Sequence, residues 1–190
     1  MMQKLFFGTN NAHKLKEIQE ILGEEIQVLS FKDFPPIDVE ETEPTLIGNA
    51  ILKAKAFYEH TQIPCFADDT GLEVAALNGE PGVFSARYAG EHCNPKDNMA
   101  LLLQNLGDKT DRSAVFKTVI AFYDGQEISL FEGIVKGQII DAPRGEDGFG
   151  YDPIFQPEGY DETFAELPSA TKHAISHRGK AVRAFAEFVK

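Results

Sequence analysis

The sequence is poor in the features that would place a protein in a specialised class. It contains no tryptophan and only two cysteines, Cys65 and Cys93, among 190 residues. Two cysteines are too few for a disulfide framework, and their separation is not that of a metal-binding pair. No apolar run is long enough to span a membrane, and the N-terminal residues lack the apolar core of a signal peptide. We therefore expect a cytoplasmic protein with reduced thiols and no membrane partner.

Positive charge is also scarce. The chain has 18 lysine and arginine residues against 30 aspartate and glutamate residues, which gives a formal net charge of −12. Extended binding to a nucleic acid polymer or to an anionic membrane needs a basic face, so this balance argues against such partners. A small anionic ligand in a local basic pocket is still compatible with it. The chain has no Walker A motif, which excludes a P-loop protein.

What the sequence does contain is an alternation of short apolar segments with amphipathic segments of helical spacing. This pattern predicts an α/β fold with an elongated, mixed and twisted sheet and flanking helices. The predicted strands span residues 4–8, 26–30 and 63–68, the predicted helices span residues 12–22, 45–60, 96–106 and 177–190, and two longer β-rich segments span residues 112–124 and 128–140. We expect one domain over residues 1–190, with a second lobe built mainly from about 110–140 and a ligand cleft between the lobes.

Two neighbouring aspartates, Asp68 and Asp69, close the apolar run IPCFAD. Adjacent like charges repel each other, and a buried carboxylate needs a partner. A plain turn at the following residues would explain the pair, and so would a bound cation. Glu40, Glu41 and Glu43 form a second acidic group in a loop, which by itself is typical of a solvated surface. Carboxylates from separate loops, with water completing the coordination, are what Mg²⁺ prefers.

Further segments carry groups that could recognise an anion or a planar ring. TNNAHK, residues 9–14, follows the first predicted strand, where the N–H groups of a helix start favour an anion or a simple cap. Asn49 and Lys53 lie one turn apart on the polar face of the second predicted helix. GEDGFGYDP, residues 145–153, has two interpretations. Its glycines could let the backbone approach a ligand while Phe149 or Tyr151 stacks on a planar ring, or the segment could be a glycine-rich hairpin with two core aromatic residues. SATKHAISHRGKA, residues 169–181, places a lysine, a histidine and an arginine within two helical turns, either as a solvated basic surface or against an anion.

An acidic set suited to a metal and a basic set suited to phosphates, in one α/β chain, are the groups that phosphoryl chemistry on a nucleotide requires. Five segments at these spacings also make the sequence resemble a known family. In chain order they are TNNAHK, EETEPTLIGNAILKAKA, FADDTGLEVAALNGEPGVFSARYAG, GFGYDPIF and SHRGKA. On these residues, which span essentially the whole chain, the sequence resembles the inosine/xanthosine triphosphate pyrophosphatases, also called Ham1-like or RdgB-like proteins.

The resemblance implies a two-lobed mixed-sheet fold with a central nucleotide cleft, and a homodimer. It implies cleavage of a nucleoside triphosphate between the α and β phosphates, with Mg²⁺ as the cofactor and monophosphate and pyrophosphate as the products. The implied substrates are the deaminated purine nucleotides ITP, dITP and XTP, which are removed before a polymerase can use them.

The resemblance also implies roles for individual residues. Glu41 and Asp69 match the metal-binding carboxylates, and Asp69 matches the general base. Lys53 matches a catalytic lysine that contacts phosphate, while Asp68 either binds the metal through water or positions its loop. The residues that match substrate-binding groups are Thr9, Asn10, Asn11, Ala12, His13, Lys14 and Thr70 and, around the base, Phe149, Gly150, Tyr151, Asp152, Lys172, His177 and Arg178.

One position departs from the family pattern. The first turn usually reads Thr-Gly-Asn, and here Asn10 replaces the glycine. Asparagine adopts a positive φ more readily than other residues with a side chain, so we expect the turn to be kept.

Two other classes of protein would explain parts of the pattern. A Nudix hydrolase performs similar chemistry, but its glutamate-rich helix with a REXXEE-like core does not occur in the sequence. A non-enzymatic nucleotide-sensing module would need the basic groups but not the acids placed for a metal. The sequence therefore favours a hydrolase of nucleoside triphosphates.

Overall fold

The computed structural model describes residues 3–190, apart from the side chain of His13. The strands are β1 (Gln3–Phe7), β2 (Ile26–Leu29), β3 (Cys65–Val74), β4 (Pro81–Gly82), β5 (Ser113–Tyr123), β6 (Ile128–Ile139) and β7 (Phe155–Pro157). The α-helices are α1 (Ala12–Leu22), α2 (Leu46–Thr61), α3 (Pro95–Leu106), α4 (Ser169–Ile175) and α5 (His177–Val189). The predicted α/β class is confirmed, and most predicted helix bounds hold to within one residue.

Over residues 3–190 the strands form one mixed sheet. Their order is β2-β1-β3-β5-β6-β7, and β4 pairs with β3 outside this path. β1 is parallel to both of its neighbours, β2 and β3. The short strands β4 and β7 run antiparallel to β3 and β6. The parallel part follows from the αβ crossovers at the start of the chain, since parallel neighbours need a helix-containing connection.

The backbone divides into two compact units. The first runs to Asp69 and includes Val119–Glu132 and Ala181–Lys190, and the second consists of Thr70–Thr118 and Gly133–Lys180. Each has its own apolar core. Phe7, Phe66 and Phe185 are among the buried side chains of the first unit. In the second unit the buried core includes Leu72, Leu102, Phe116, Phe155 and Phe164.

The second unit is therefore larger than the segment of about 110–140 from which the second lobe was predicted. Residues 119–132, within that segment, group with the first unit instead. The boundary near Asp69 falls inside strand β3, between two consecutive residues of one continuous strand.

The sequence-based end of the third strand at Asp68 is wrong, because β3 continues to Val74. Leu72 and Val74 are fully buried, so the residues after the aspartates go on supplying core side chains. β4 pairs with this extension through Leu72 and Glu73. The two aspartates lie inside a strand, and a turn at Thr70 does not explain them.

The two cysteines have different surroundings. The Cys65 thiol is buried on β3 and donates a hydrogen bond to the Ala54 carbonyl oxygen at 2.9 Å. Burial raises the pKa of this thiol to about 12. Cys93 is exposed. None of the helices over residues 3–190 combines the length and the apolar character that a bilayer crossing requires.

Candidate active site

Helix α2 carries Lys53 to a cluster of oxygens in the first unit. The helix begins after Thr45, whose hydroxyl accepts a hydrogen bond from the Gly48 N–H as an N-cap. The Lys53 Nζ atom lies 2.5 Å from Glu41 Oε1 and 3.3 Å from Asp69 Oδ1. It also donates to the Asp68 backbone oxygen at 2.8 Å. One ammonium group therefore joins the acidic loop to strand β3.

A second lysine pairs with the other aspartate. Lys14, in the first turn of α1, places its Nζ atom 3.0 Å and 3.2 Å from the two carboxylate oxygens of Asp68. The side chain of Asp68 is 6% exposed and that of Lys14 is 22% exposed. The adjacent aspartates thus face different lysines, as expected for neighbours in a strand, whose side chains point to opposite sides.

Burial and the neighbouring charges together set the protonation states of this cluster. Burial raises the pKa of Asp69 from 3.8 to about 6, which the positive charge of Lys53 offsets only in part and the charge of Glu41 reinforces. Burial lowers the pKa of Lys53, but the negative charges of Asp69, Asp68 and Glu41 outweigh this effect, so that its pKa is raised overall. Lys53 therefore stays charged at neutral pH, and Asp69 titrates close to neutrality.

One carboxylate oxygen of Asp69 has no hydrogen bond from the described residues and is available to a ligand. Its Oδ2 atom is buried, and no residue in the described part of the chain forms a hydrogen bond with it. A buried carboxylate oxygen without a hydrogen bond is costly, so it is usually satisfied by water, an ion or a ligand. The other oxygen of this carboxylate, Oδ1, and Glu41 Oε1 both contact the Lys53 ammonium group.

The acidic loop is fixed to the start of α2. Asn49 is fully buried, accepts a hydrogen bond from the Glu43 N–H at 2.9 Å and donates one to the Glu43 carbonyl oxygen at 3.2 Å. The loop also packs against Gly48, where an added Cβ would lie 2.7 Å from the Glu43 Cβ. Asn49 thus shares a face with Lys53 as predicted, but that face is turned towards the acidic loop.

The turn TNNAHK uses its side chains to start helix α1. The Asn11 N–H donates to the Thr9 hydroxyl at 3.0 Å, and the Lys14 N–H donates to Asn11 Oδ1 at 3.2 Å. Ala12 is the first helical residue. These contacts are those of a cap, and the Thr9 hydroxyl hydrogen keeps its capacity to donate to an anion at this helix end. The His13 side chain lies outside the described residues.

The turn does not need a left-handed backbone at Asn10, the conformation for which asparagine was expected to be a suitable replacement for glycine. Among the described residues with a side chain, positive φ occurs at Gln62, Asn78 and Cys93, and not at Asn10. The turn is closed instead by the Thr9 N–H, which donates to the Phe7 carbonyl oxygen at 2.8 Å. An asparagine therefore fits at this position without a left-handed conformation.

A second group of predicted residues comes together in the second unit around Phe149. The Phe149 ring is 42% exposed, with Lys172 Nζ 5.0 Å and Arg178 Cζ 4.9 Å from its centroid. Asp152 is buried and holds this arrangement: its Oδ2 atom accepts from Lys172 Nζ at 2.6 Å and from the Phe149 N–H at 2.9 Å. Gly150 takes a φ of 61° in the same loop, where a side chain would be strained.

Tyr151 and His177 are built into the core of that unit. Tyr151 is 5% exposed, and its hydroxyl donates to the Ser85 carbonyl oxygen at 2.7 Å. The His177 ring stacks on Phe116, with centroids 4.4 Å apart and planes 8° from parallel. Of the two aromatic side chains predicted to cover a planar ligand, the exposed Phe149 has the better access.

Thr70, the first residue of the second unit, shares a hydrogen bond with a residue that sequence reasoning missed. Its hydroxyl lies 2.7 Å from the hydroxyl of Thr118 on β5. Thr118 is fully buried. Phe116 was likewise given no site role from the sequence. Thr118 stands between Phe116 and Ile120 in the strand alternation, where an apolar residue is expected, and this pattern could have indicated it.

The carboxylates of Glu41 and Asp69, in the first unit, fit Mg²⁺, the metal that the resemblance implies. Over residues 3–190 no three histidine, cysteine, aspartate or glutamate side chains are grouped as a ready-made metal cage. Mg²⁺ does not need one, since it is usually held by one or two carboxylates together with water and substrate phosphates. Glu41 and Asp69 supply two carboxylates at one ammonium group, and Asp69 Oδ2 has no hydrogen bond from the described residues.

Comparison with known proteins identifies the same family as the sequence motifs. The model of the Ham1 family matches residues 5–188. A protein of Flavobacterium psychrophilum named dITP/XTP pyrophosphatase is 54% identical over 188 residues, which cover 98% of this chain and 99% of that protein. One of the same name from Porphyromonas gingivalis is 47% identical, covering 99% and 98% of the two chains.

Solved structures agree in fold as well as in sequence. The structure of a HAM1 protein from Coxiella burnetii superimposes with a TM-score of 0.93 at 40% identity, covering 99% of this chain and 98% of that one. The Staphylococcus aureus Ham1 protein gives a TM-score of 0.92 at 42% identity, covering 98% of each chain.

Proposed function

The chain belongs to the Ham1 family, and from this premise we propose that it is a nucleoside triphosphate pyrophosphohydrolase. Its substrates are deaminated purine nucleotides, namely ITP, dITP and XTP, and its role is to remove them from the nucleotide pool. The curated relatives at 47% and 54% identity carry the name dITP/XTP pyrophosphatase, which supports this substrate class.

The observation that carries the chemical part of the proposal is the state of Asp69. Its carboxylate is buried, its pKa is raised to about 6 by that burial, and one of its oxygens has no hydrogen bond from the described residues. A general base works best when its pKa lies near the working pH. Asp69 is therefore ionised for the most part at pH 7 and has an oxygen available for a water molecule.

In the proposed reaction Asp69 accepts a proton from water as the water oxygen bonds to the α-phosphorus. The bond between the α-phosphorus and the bridging oxygen to the β-phosphorus breaks, which releases pyrophosphate and leaves the nucleoside monophosphate. Lys53, held between Glu41 and Asp69, supplies a fixed positive charge beside the developing negative charge.

The remaining phosphate contacts come from the first turn of α1. The helix N-terminus, the Thr9 hydroxyl and the Lys14 ammonium group are donors and charges that suit a triphosphate. We assign Mg²⁺ to Glu41 and Asp69, where the ion would neutralise phosphate charge and lower the pKa of a bound water.

Base recognition is assigned to the second unit. Hypoxanthine and xanthine present an oxygen at C6, where adenine presents an amino group. Arg178 and His177 can donate hydrogen bonds to that oxygen, while the exposed Phe149 ring covers the base. Adenine would place a donor against a donor, which leaves a desolvated donor unpaired at a cost of about 1–3 kcal/mol.

We also propose a homodimer in the cytoplasm, without nucleic acid polymers or membranes as partners. The net charge of −12 supports the exclusion of those polyanions. Phe188 and Leu130 in the first unit are 56% and 42% exposed and offer apolar surface for a second copy. Sedimentation analysis tests this assignment, and a monomer at micromolar concentration would refute it.

The deciding experiment is a turnover panel. Purified protein is incubated with Mg²⁺ and with ITP, XTP, GTP or ATP, and pyrophosphate and orthophosphate are measured separately. We expect pyrophosphate, with kcat/KM for ITP and XTP well above that for GTP and ATP. Orthophosphate as the product would indicate a phosphatase, and binding without any product would indicate a nucleotide-sensing module.

A further inference from the structure

The pair formed by Lys14 and Asp68 is not explained by the proposed reaction. In the proposed function Lys14 binds a phosphate, yet here its ammonium group contacts both carboxylate oxygens of Asp68, at 3.0 Å and 3.2 Å. Asp68 is 6% exposed and so has little water to replace a lost partner. The ammonium group that the triphosphate needs is thus engaged by an anion of the protein itself.

A phosphate oxygen and a carboxylate oxygen compete for such a group. Both accept charge-assisted hydrogen bonds of similar length from an ammonium group. Lys14 is the more accessible partner of the pair, with 22% of its side chain exposed. Its long side chain can therefore turn towards a ligand, whereas Asp68 is fixed in strand β3.

We propose that Asp68 is a positioning residue that holds Lys14 in the ligand-free protein and competes with the triphosphate for it. The proposal rests on the proposed function in one respect, the assignment of Lys14 to a phosphate. It separates the two adjacent aspartates: Asp69 faces Lys53 and the reacting water, and Asp68 controls the availability of Lys14. The cost of breaking the pair lowers the affinity of the site for any anion that needs Lys14.

The proposal predicts an effect opposite in sign to that of ordinary damage to a binding site. In Asp68→Asn the ammonium group of Lys14 no longer has to leave the Asp68 carboxylate when it turns to a phosphate. Binding of inorganic tripolyphosphate, measured by calorimetric titration in EDTA, should tighten by roughly three- to tenfold, the range expected for losing one partly buried ion pair. A residue that only supported the fold would weaken binding when it is replaced.

A double-mutant cycle tests whether the gain passes through Lys14. The four proteins are the wild type, Asp68→Asn, Lys14→Ala and the double variant. We expect Asp68→Asn to give little or no gain in the Lys14→Ala background. Glu20→Gln is the matched control, because it removes the same charge from a side chain of the first unit that is 57% exposed and pairs only loosely with Lys16.

Three outcomes overturn the proposal: unchanged or weaker binding in Asp68→Asn, an equal gain in the Lys14→Ala background, and an equal gain in Glu20→Gln. Asp68→Ala, with the same expected direction, replaces Asp68→Asn if circular dichroism shows that the asparagine variant is not folded. Pyrophosphate release by the wild type in the turnover panel tests the proposed function separately. Pyrophosphate release by a wild type whose Asp68→Asn variant gains nothing would refute this inference alone.

Discussion

Replacing Asp69 by asparagine should inactivate the enzyme and at the same time stabilise its metal-free fold. The substitution keeps the size of the side chain but removes the proton acceptor and one carboxylate of the proposed metal pair. The loss of general-base catalysis alone corresponds to roughly 10²–10⁴ in kcat. A variant with more than about a tenth of the wild-type kcat would contradict the assignment of the base.

The gain in stability follows from the pKa of the same group. Burial raises the pKa of Asp69 from 3.8 to about 6 in the folded protein. At about 1.4 kcal/mol per pKa unit, ionising this carboxyl group costs the folded state about 3 kcal/mol relative to the unfolded chain. Asparagine avoids this cost, from which the favourable charge of Lys53 is already subtracted, but its amide must itself be desolvated at about 1–2 kcal/mol. We therefore expect a net gain of about 1–2 kcal/mol in the free energy of unfolding.

The dependence on pH distinguishes this mechanism from better packing. Above pH 6 the carboxyl group is ionised in both states, so the full cost applies to the wild type. As the pH falls from 6 to 3.8 the folded protein is protonated first, and the cost disappears. The difference in free energy of unfolding between Asp69→Asn and the wild type, measured by urea denaturation in EDTA, should be largest at pH 8 and fall by about 2–3 kcal/mol by pH 4, where the variant becomes the less stable protein. A difference that does not change with pH, or a variant less stable than the wild type at pH 8, would refute the reasoning.

Three further substitutions test other parts of the site. Lys53→Ala should lower kcat/KM for ITP and ATP alike. Because the charge of Lys53 lowers the pKa of Asp69, the acid limb of the pH–rate profile of this variant should move to higher pH. Arg178→Ala should narrow the ratio of kcat/KM for ITP to that for ATP, mainly through loss of ITP turnover, and an unchanged ratio would move base recognition away from residues 172–178. Tyr151→Phe should lose about 1 kcal/mol of stability with the hydrogen bond to Ser85, seen in urea denaturation, and leave the ITP-to-ATP ratio unchanged; a changed ratio would mean that Tyr151 contacts the base.

The elements with strong periodicity could be predicted from the sequence. Helix α1 spans the predicted residues 12–22, and α2 begins one residue after its predicted start at residue 45. Strand β3 was cut short because Thr70 and Gly71 are typical of turns, whereas the buried side chains that follow keep the strand extended. Local turn preference was outweighed by tertiary burial, which no single-sequence pattern reveals.

The ion pairs were only partly predictable. A cation near the adjacent aspartates was expected, because buried like charges need an opposite charge, and the structure places two lysines there. Which aspartate would face which lysine depends on the pleat of β3 and on where α1 and α2 pack, and the sequence does not contain that information. The buried position of Asn49 was equally hidden, since its partner is the backbone of Glu43 rather than a side chain with a recognisable pattern.

The pairing of Glu41, Asp68 and Asp69 with Lys14 and Lys53 has a consequence for the life of the protein in the cell. Some small metal-binding domains, such as zinc fingers, have no positive side chain that balances the charge of their ligands. They fold only when the ion binds, and chelators unfold them. Here the protein's own ammonium groups already neutralise most of the acidic charge at the proposed metal site. If the proposed site holds Mg²⁺, we therefore expect the chain to fold without the ion and to persist as an intact, inactive protein when magnesium is depleted. Restoring the ion would then return activity within the time of ligand binding, without new synthesis or refolding.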